Sequence, residues 1–259
     1  MAAWLRTVTL MLTMAFGHGI AVAEPTSALQ CQAQTVRDAG YLVCSIDLTI
    51  ARPRLFWKGP DGEPYRTFSA VAERVSSGGK SLVFAMNAGM YAEDFSPMGL
   101  YVEDGEDLHP ANRLEMTSSA GVIPNFYKKP NGIFFLTEDE AGILPTGVFL
   151  KRKEPVTFAT QSGPMLVIDG KINPIFIPGS SDRTRRSGVG VCEGGTVRFA
   201  ISDGRVNFHD FATLFHDDLK CRDALFLDGG RGAGVYVREM GREDWSGHGG
   251  YGPMIGLVE

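Results

Sequence analysis

The sequence predicts an α+β fold: a strand-dominated mixed sheet with a few helices, in one domain over residues 24–259. Three observations carry that expectation. Short runs rich in β-branched and aromatic residues recur along the chain. Only two segments, 66–76 and 207–219, space their apolar residues at the helical period. Strands and helices also fail to alternate as a parallel βα fold requires.

The elements follow in order. Cys31 and Cys44 flank Arg37-Asp38-Ala39-Gly40, which reads as the turn of a hairpin. Tyr41 to Ile50 and Leu55 to Trp57 read as strands. Phe68, Val71, Ala72 and Val75 define a helix over 66–76 that stops near Gly78-Gly79. Leu82 to Met86 is a buried strand, and Glu103-Asp104-Gly105-Glu106 is a second hairpin turn. Several short strands fill 132–172, and Val197 to Ser202 is another. Phe208, Phe211, Ala212, Phe215 and Leu219 mark an amphipathic helix of about three turns. Ala224 to Leu227 is a short apolar strand running into Asp228-Gly229-Gly230.

The start of the chain predicts export. Arg6, the apolar run Val8 to Phe16 and Ala21-Val22-Ala23 form the three parts of a secretory signal peptide cleaved after residue 23. The apolar run is shorter than the ~20 residues a spanning helix needs, so no membrane span is expected. The mature chain should be periplasmic or secreted. Its four cysteines, in an oxidising compartment, favour disulfides over metal binding. Cys31–Cys44 and Cys192–Cys221 is the local solution among three connectivities. Acidic residues exceed basic ones, 30 to 25, and the basic ones are scattered, which argues against a nucleic-acid partner.

Candidate chemistry sits where three apolar strands end in small, polar loops. The first loop holds Asn87, Gly89, Glu93, Asp94 and Gly99. The second strand, at Ser187, is introduced by Arg183, Arg185 and Arg186. The third runs into Asp228-Gly229-Gly230-Arg231. Glycine beside a rigidly placed polar residue lets a substrate approach the backbone. The histidines carry less weight: His109, His209, His216 and His248 form no metal-spaced pair. No cofactor and no metal is assigned, although calcium would accept Asn87 and Asp228 as oxygen ligands.

Taken together, M-N-A-G-M-Y (86–91) with P-M-G (97–99), Q-S-G-P-M-L-V-I-D-G (161–170), R-R-S-G-V-G (185–190) and A-L-F-L-D-G-G (224–230) resemble the phosphodiester glycosidase family. The likeness covers roughly residues 40–258. It departs after Asp228-Gly229-Gly230, where Arg231-Gly232 stands in place of the usual serines. The resemblance implies hydrolysis of the bond between a sugar anomeric carbon and a phosphodiester oxygen, on a small-molecule or glycan substrate. It implies Asp228 as the carboxylate at C1, as nucleophile, base or substrate ligand. Arg186 is then the phosphate clamp, with Arg185 and Arg183 behind it, and Asn87 positions the substrate. Glu93, Asp94, Gly89, Gly99, Ser162, Gly229, Gly230 and Arg231 complete the expected contacts. A non-catalytic glycan-binding protein and a phosphodiesterase cutting the P–O bond are the competing expectations.

Overall fold

The computed structural model describes Met1, residues 27–117 and residues 121–259; the expected leader lies, apart from Met1, outside the described residues. In chain order the strands are β1 (Leu29–Val36), β2 (Ala39–Ile46), β3 (Arg54–Phe56), β4 (Leu82–Asn87), β5 (Tyr101–Glu103) and β6 (Glu106–His109). Next come β7 (Gly132–Leu136), β8 (Ala141–Pro145), β9 (Phe158–Ser162), β10 (Met165–Ile168) and β11 (Lys171–Ile172). The last are β12 (Arg186–Cys192), β13 (Val197–Ser202), β14 (Cys221–Gly229), β15 (Val235–Val237), β16 (Arg242–Glu243) and β17 (Met254–Val258). Three helices accompany them among the described residues: α1 (Phe68–Ser77), α2 (Thr146–Phe149) and α3 (Phe208–Thr213).

The α+β, strand-dominated class is therefore what the chain adopts. The strands divide among three sheets, ordered β1-β2-β13-β12-β14-β10-β11, β16-β15-β4-β17-β3 and β6-β5-β9-β7-β8. Where the sequence suggests one mixed sheet, every pairing of the described strands is antiparallel. Tight turns are one reason. Arg37 and Asp38, Asp104 and Gly105, and Asp169 and Gly170 all take positive φ, the conformation of two-residue hairpins.

The largest core cluster lies where the inner faces of the three sheets meet, with Val189 and Leu225, Met86 and Ile255, and Tyr101 and Phe158 drawn from each in turn. Phe199 of β13 is the junction. Its ring lies 5.1 Å from Phe84 of β4 and 6.2 Å from Phe134 of β7, centroid to centroid. The outer face of the first sheet is covered by α3, and α1 covers the second sheet.

Local chemistry fixes the helix ends. Thr67 caps α1 by accepting from the Ala70 amide at 3.1 Å, so the helix starts two residues later than apolar spacing alone suggests. Asn207 caps α3 in the same way, accepting from Asp210 N at 2.8 Å. The expected three-turn helix then widens: residues 214–218 form a π turn, closed by Leu219 N to Leu214 O at 2.9 Å. Periodicity detects the buried face, not the change in bonding.

Cys31 is bonded to Cys44 across the β1–β2 hairpin, and Cys192 to Cys221 across β12 and β14. The second bridge spans 29 residues and holds the two strands that carry Arg186 and Asp228. Replacing both Cys192 and Cys221 with alanine should cost about 3 kcal/mol by freeing that loop in the unfolded chain. Guanidinium unfolding with an earlier midpoint, and a steeper slope because the freed unfolded chain exposes more surface, is the expected readout.

Candidate active site

The ends of β4, β9, β12 and β14 converge where the three sheets meet. Thr160 Oγ1 of β9 donates to the Ala88 carbonyl just beyond β4 at 2.8 Å. Ser162 Oγ donates to Leu227 O of β14 at 2.8 Å. Ser187 Oγ of β12 donates to Asp228 O at 3.1 Å and accepts from Asp228 N at 3.3 Å. Asn87 Oδ1 accepts from Gly234 N at 3.1 Å. Three of the four sequence motifs are thus laced directly to the segment around Asp228.

Asp228 lies in a cleft of about 500 Å³ lined also by Met90, Tyr91, Glu93, Phe95, Met98 and His248. Its carboxylate occupies the space above Gly232, where any Cβ would overlap it. Oδ1 accepts from Gly229 N at 2.7 Å. The carboxyl keeps partial access through the cleft, but protein packs closely around it. That burial pushes its pKa up to about 7, against the lowering effect of the Gly229 bond. No charged side chain contributes to the shift.

The facing wall is aromatic. Tyr91 stacks on Phe95 with centroids 5.7 Å apart, and its hydroxyl donates to Gly250 O at 2.8 Å. Burial raises the Tyr91 pKa, the Ser246 contact offsets part of that, and the charge of Asp228 adds to the rise. Phe95 sits at φ 63°, and its carbonyl accepts from Trp57 Nε1 at 3.0 Å. A bulky residue held in the left-handed region beside a carboxylate is the kind of backbone strain that gathers at functional sites.

The other expected residues divide clearly. Glu93 lines the cleft, whereas Asp94 is turned to its own loop, accepting from Ser96 N at 3.0 Å and Ser96 Oγ at 2.6 Å. Those bonds hold its pKa down. Gly89, at φ 156°, packs against Thr160 and Gln161, and Gly99 leaves room for the Gln161 amide. Gly229 and Gly230 carry the backbone past Thr184 and Arg185. Asn87 is fully buried, and its Nδ2 has no acceptor among the described residues.

The three arginines lie apart from the cleft. Arg186 pairs with Gly229 and Ser187 with Asp228, successive positions that point to opposite faces of the sheet. Arg186 is buried over Phe208, 3.6 Å from the ring centroid, with Nε donating to Val206 O at 2.9 Å. Burial lowers its pKa to about 10, and Asp182 is the one charge that offsets this. Arg185 is committed to Asp244 at 2.6 Å and Arg183 to Asp210 at 2.8 Å. The expectation that Arg186 clamps a phosphate beside Asp228 therefore does not match where the fold puts it. Arg231 differs. Its stem lies over Gly247, where a Cβ would come within 2.7 Å of its Cδ, on the loop that brings His248 to the cleft. Its guanidinium takes no hydrogen bond or ion pair from the described residues.

The phosphodiester glycosidase family model matches residues 80–253, which contain this cleft. The chain belongs to the phosphodiester glycosidase family. The uncharacterized Escherichia coli K12 protein YigE is 36% identical over 178 residues, 69% of this chain and 67% of that one. Among solved structures, the zebrafish N-acetylglucosamine-1-phosphodiester alpha-N-acetylglucosaminidase catalytic domain, auto-inhibited by its pro-peptide, superposes with a TM-score of 0.61. That likeness covers 91% of this chain and 84% of that one at 16% identity. A hypothetical protein from Synechocystis gives a TM-score of 0.51 at 14% identity, covering 89% of this chain and 61% of that one. Both superpositions show a shared fold.

Tyr91, His248 and Ser246 are site residues that sequence reasoning does not single out. Tyr91 falls within a quoted motif, but nothing in the sequence tells its ring from a core aromatic. The signal for His248 is the run Gly247, Gly249 and Gly250 around it, which marks a loop able to approach another segment closely.

Proposed function

We propose that the protein is an exported hydrolase that cleaves the glycosidic bond of a sugar-1-phosphodiester, with Asp228 acting at the anomeric carbon. The observation that carries this reading is a buried carboxylate, raised to about 7, in a preformed cleft within the family-matched segment. The two disulfides support an oxidising location for the folded chain.

The chemistry follows from the leaving group. Glycosidic cleavage passes through an oxocarbenium-like transition state, which a nearby carboxylate stabilises, attacks or supplies with activated water. A departing phosphate monoester has a second pKa near ~6, so it leaves without needing a proton. Asp228 therefore works in its ionised form, and its raised pKa makes it a stronger base than an ordinary aspartate. Glu93 is placed in the same cleft as a second carboxylate. Arg231, on the neighbouring loop and without a partner among the described residues, takes the phosphate-neutralising role in place of Arg186.

The test is incubation of the pure protein with an N-acetylglucosamine-1-phosphodiester, followed by measurement of free reducing sugar. Release that rises with pH along a limb near ~7 supports an ionised Asp228. Intact substrate across a panel of sugar-1-phosphodiesters would defeat the proposal. Arg231→Ala should raise KM for the phosphodiester by about tenfold, the size of one lost charge-assisted contact. The same variant should leave KM for an uncharged glycoside unchanged.

A further inference from the structure

We propose that the groove beside Phe208 is a second ligand site, which takes an organic phosphate carrying an apolar ester group. The groove has a volume of about 500 Å³ and shares no lining residue with the Asp228 cleft. Binding there is independent of hydrolysis at Asp228.

The first observation is an excess of positive charge. Lys128 and Lys129 line the groove, and Asp182 is the one carboxylate among its described lining residues. Phe208 forms part of the wall and has the Arg186 guanidinium 3.6 Å from its centroid and the Lys128 ammonium 5.3 Å from it. Arg186 is fully buried, its nearest carboxylate oxygen among the described residues lies 3.7 Å away on an exposed Asp182, and its Nη1 has no acceptor among them. The two ammonium groups are held by neutral amide oxygens: Lys128 donates to Asn125 Oδ1 at 2.8 Å and Lys129 to Asn131 Oδ1 at 3.3 Å. Burial holds the Lys128 pKa down; Asp182 works against this and Arg186 with it. Three cations against one exposed carboxylate, around a partly dry wall, leave room for an anion.

The second observation is independent and concerns shape. Val122, Ile175 and Ile177 are three of the large apolar side chains that the described chain leaves exposed, and all three border this groove. Phe176 and Phe208, stacked at 5.0 Å, form its floor. A contiguous apolar rim beside a cationic pocket matches an amphiphile better than a free inorganic ion.

The experiment is calorimetric titration with octyl phosphate below its micellar concentration, with inorganic phosphate and octanol as comparators. The expected affinity for octyl phosphate exceeds that for either comparator by at least about tenfold, since the two parts of the site act together. Lys128→Ala combined with Lys129→Ala should weaken binding by at least about tenfold. Ile175→Ser combined with Ile177→Ser, at exposed positions that folding does not need, should remove the advantage over inorganic phosphate. Asp228→Asn should bind octyl phosphate as the unaltered protein does. Equal binding by the lysine variant, or loss of binding in Asp228→Asn, would overturn the proposal. So would binding to phosphatidic acid vesicles without binding to the monomeric ester.

Discussion

Asp228→Asn is expected to abolish hydrolysis and, above pH 7, to make the protein more stable. The first half follows from the role at C1: removing a positioned base or nucleophile typically costs about 10²–10⁴-fold in rate. The second half follows from burial. An ordinary aspartate titrates near 3.8, and Asp228 in the fold near 7, so the folded state binds the proton more tightly than the unfolded chain. Below 3.8 both states hold the proton and the site carries no penalty. As pH rises towards 7 the unfolded chain ionises first, and stability falls. Above 7 the full cost is present, at most about 4 kcal/mol from the gap between the two values, and about half of that allowing for access through the cleft. Asparagine removes the charge and leaves the shape. Thermal melts of the two proteins should therefore coincide near pH 4 and separate above pH 7, with the variant higher. A variant less stable at pH 8 would mean that the carboxylate is satisfied in the fold, and the reading of a destabilised functional group would fall.

Phe199→Ala is expected to be the most damaging single truncation in the core. The ring is fully buried and, among the described residues, is the one that meets aromatic partners from both other sheets, tilted against Phe84 and edge-on to Phe134. Each sheet closes on the others through this point, so the neighbours cannot collapse inward without shifting their strands. Phenylalanine-to-alanine changes at such positions cost about 3–5 kcal/mol, transfer and cavity contributions together. At this chain length that is roughly 10 °C in melting temperature. Differential scanning calorimetry at fixed pH and scan rate tests it. A shift of less than about 2 °C would show that the three-sheet junction relaxes freely.

Much of the site is legible in the sequence because each part ends an apolar run. Asn87 and Asp228 both stand where β-branched or aromatic residues give way to glycine, and both strands end there. Gly89 and Gly99, expected to meet substrate, are instead seen in close contact with the Thr160–Ser162 strand. What the sequence does not carry is the face of the sheet. Arg185, Arg186 and Ser187 are consecutive, so which of them shares a side with Asp228 depends on register, and a slip of one residue reverses the answer. The register places Ser187 opposite Asp228 and sends Arg186 to Phe208. Tyr91 and His248 are illegible for a different reason. They are separated by more than half the chain and meet only because β4 pairs with β17, bringing the loops beside those strands together. The division into three sheets is hidden for the same reason, since hairpin turns reveal neighbours but not the order of distant strands.

An Asp228 that acts at the anomeric carbon directs attack to carbon and not to phosphorus. Hydrolysis of an N-acetylglucosamine-1-phosphodiester in isotopically labelled water, with mass analysis of both products, tests it most directly. The heavy oxygen is expected at C1 of the released sugar, with none in the phosphate monoester. Label confined to the phosphate would contradict it and make the protein a phosphodiesterase built on a glycosidase fold.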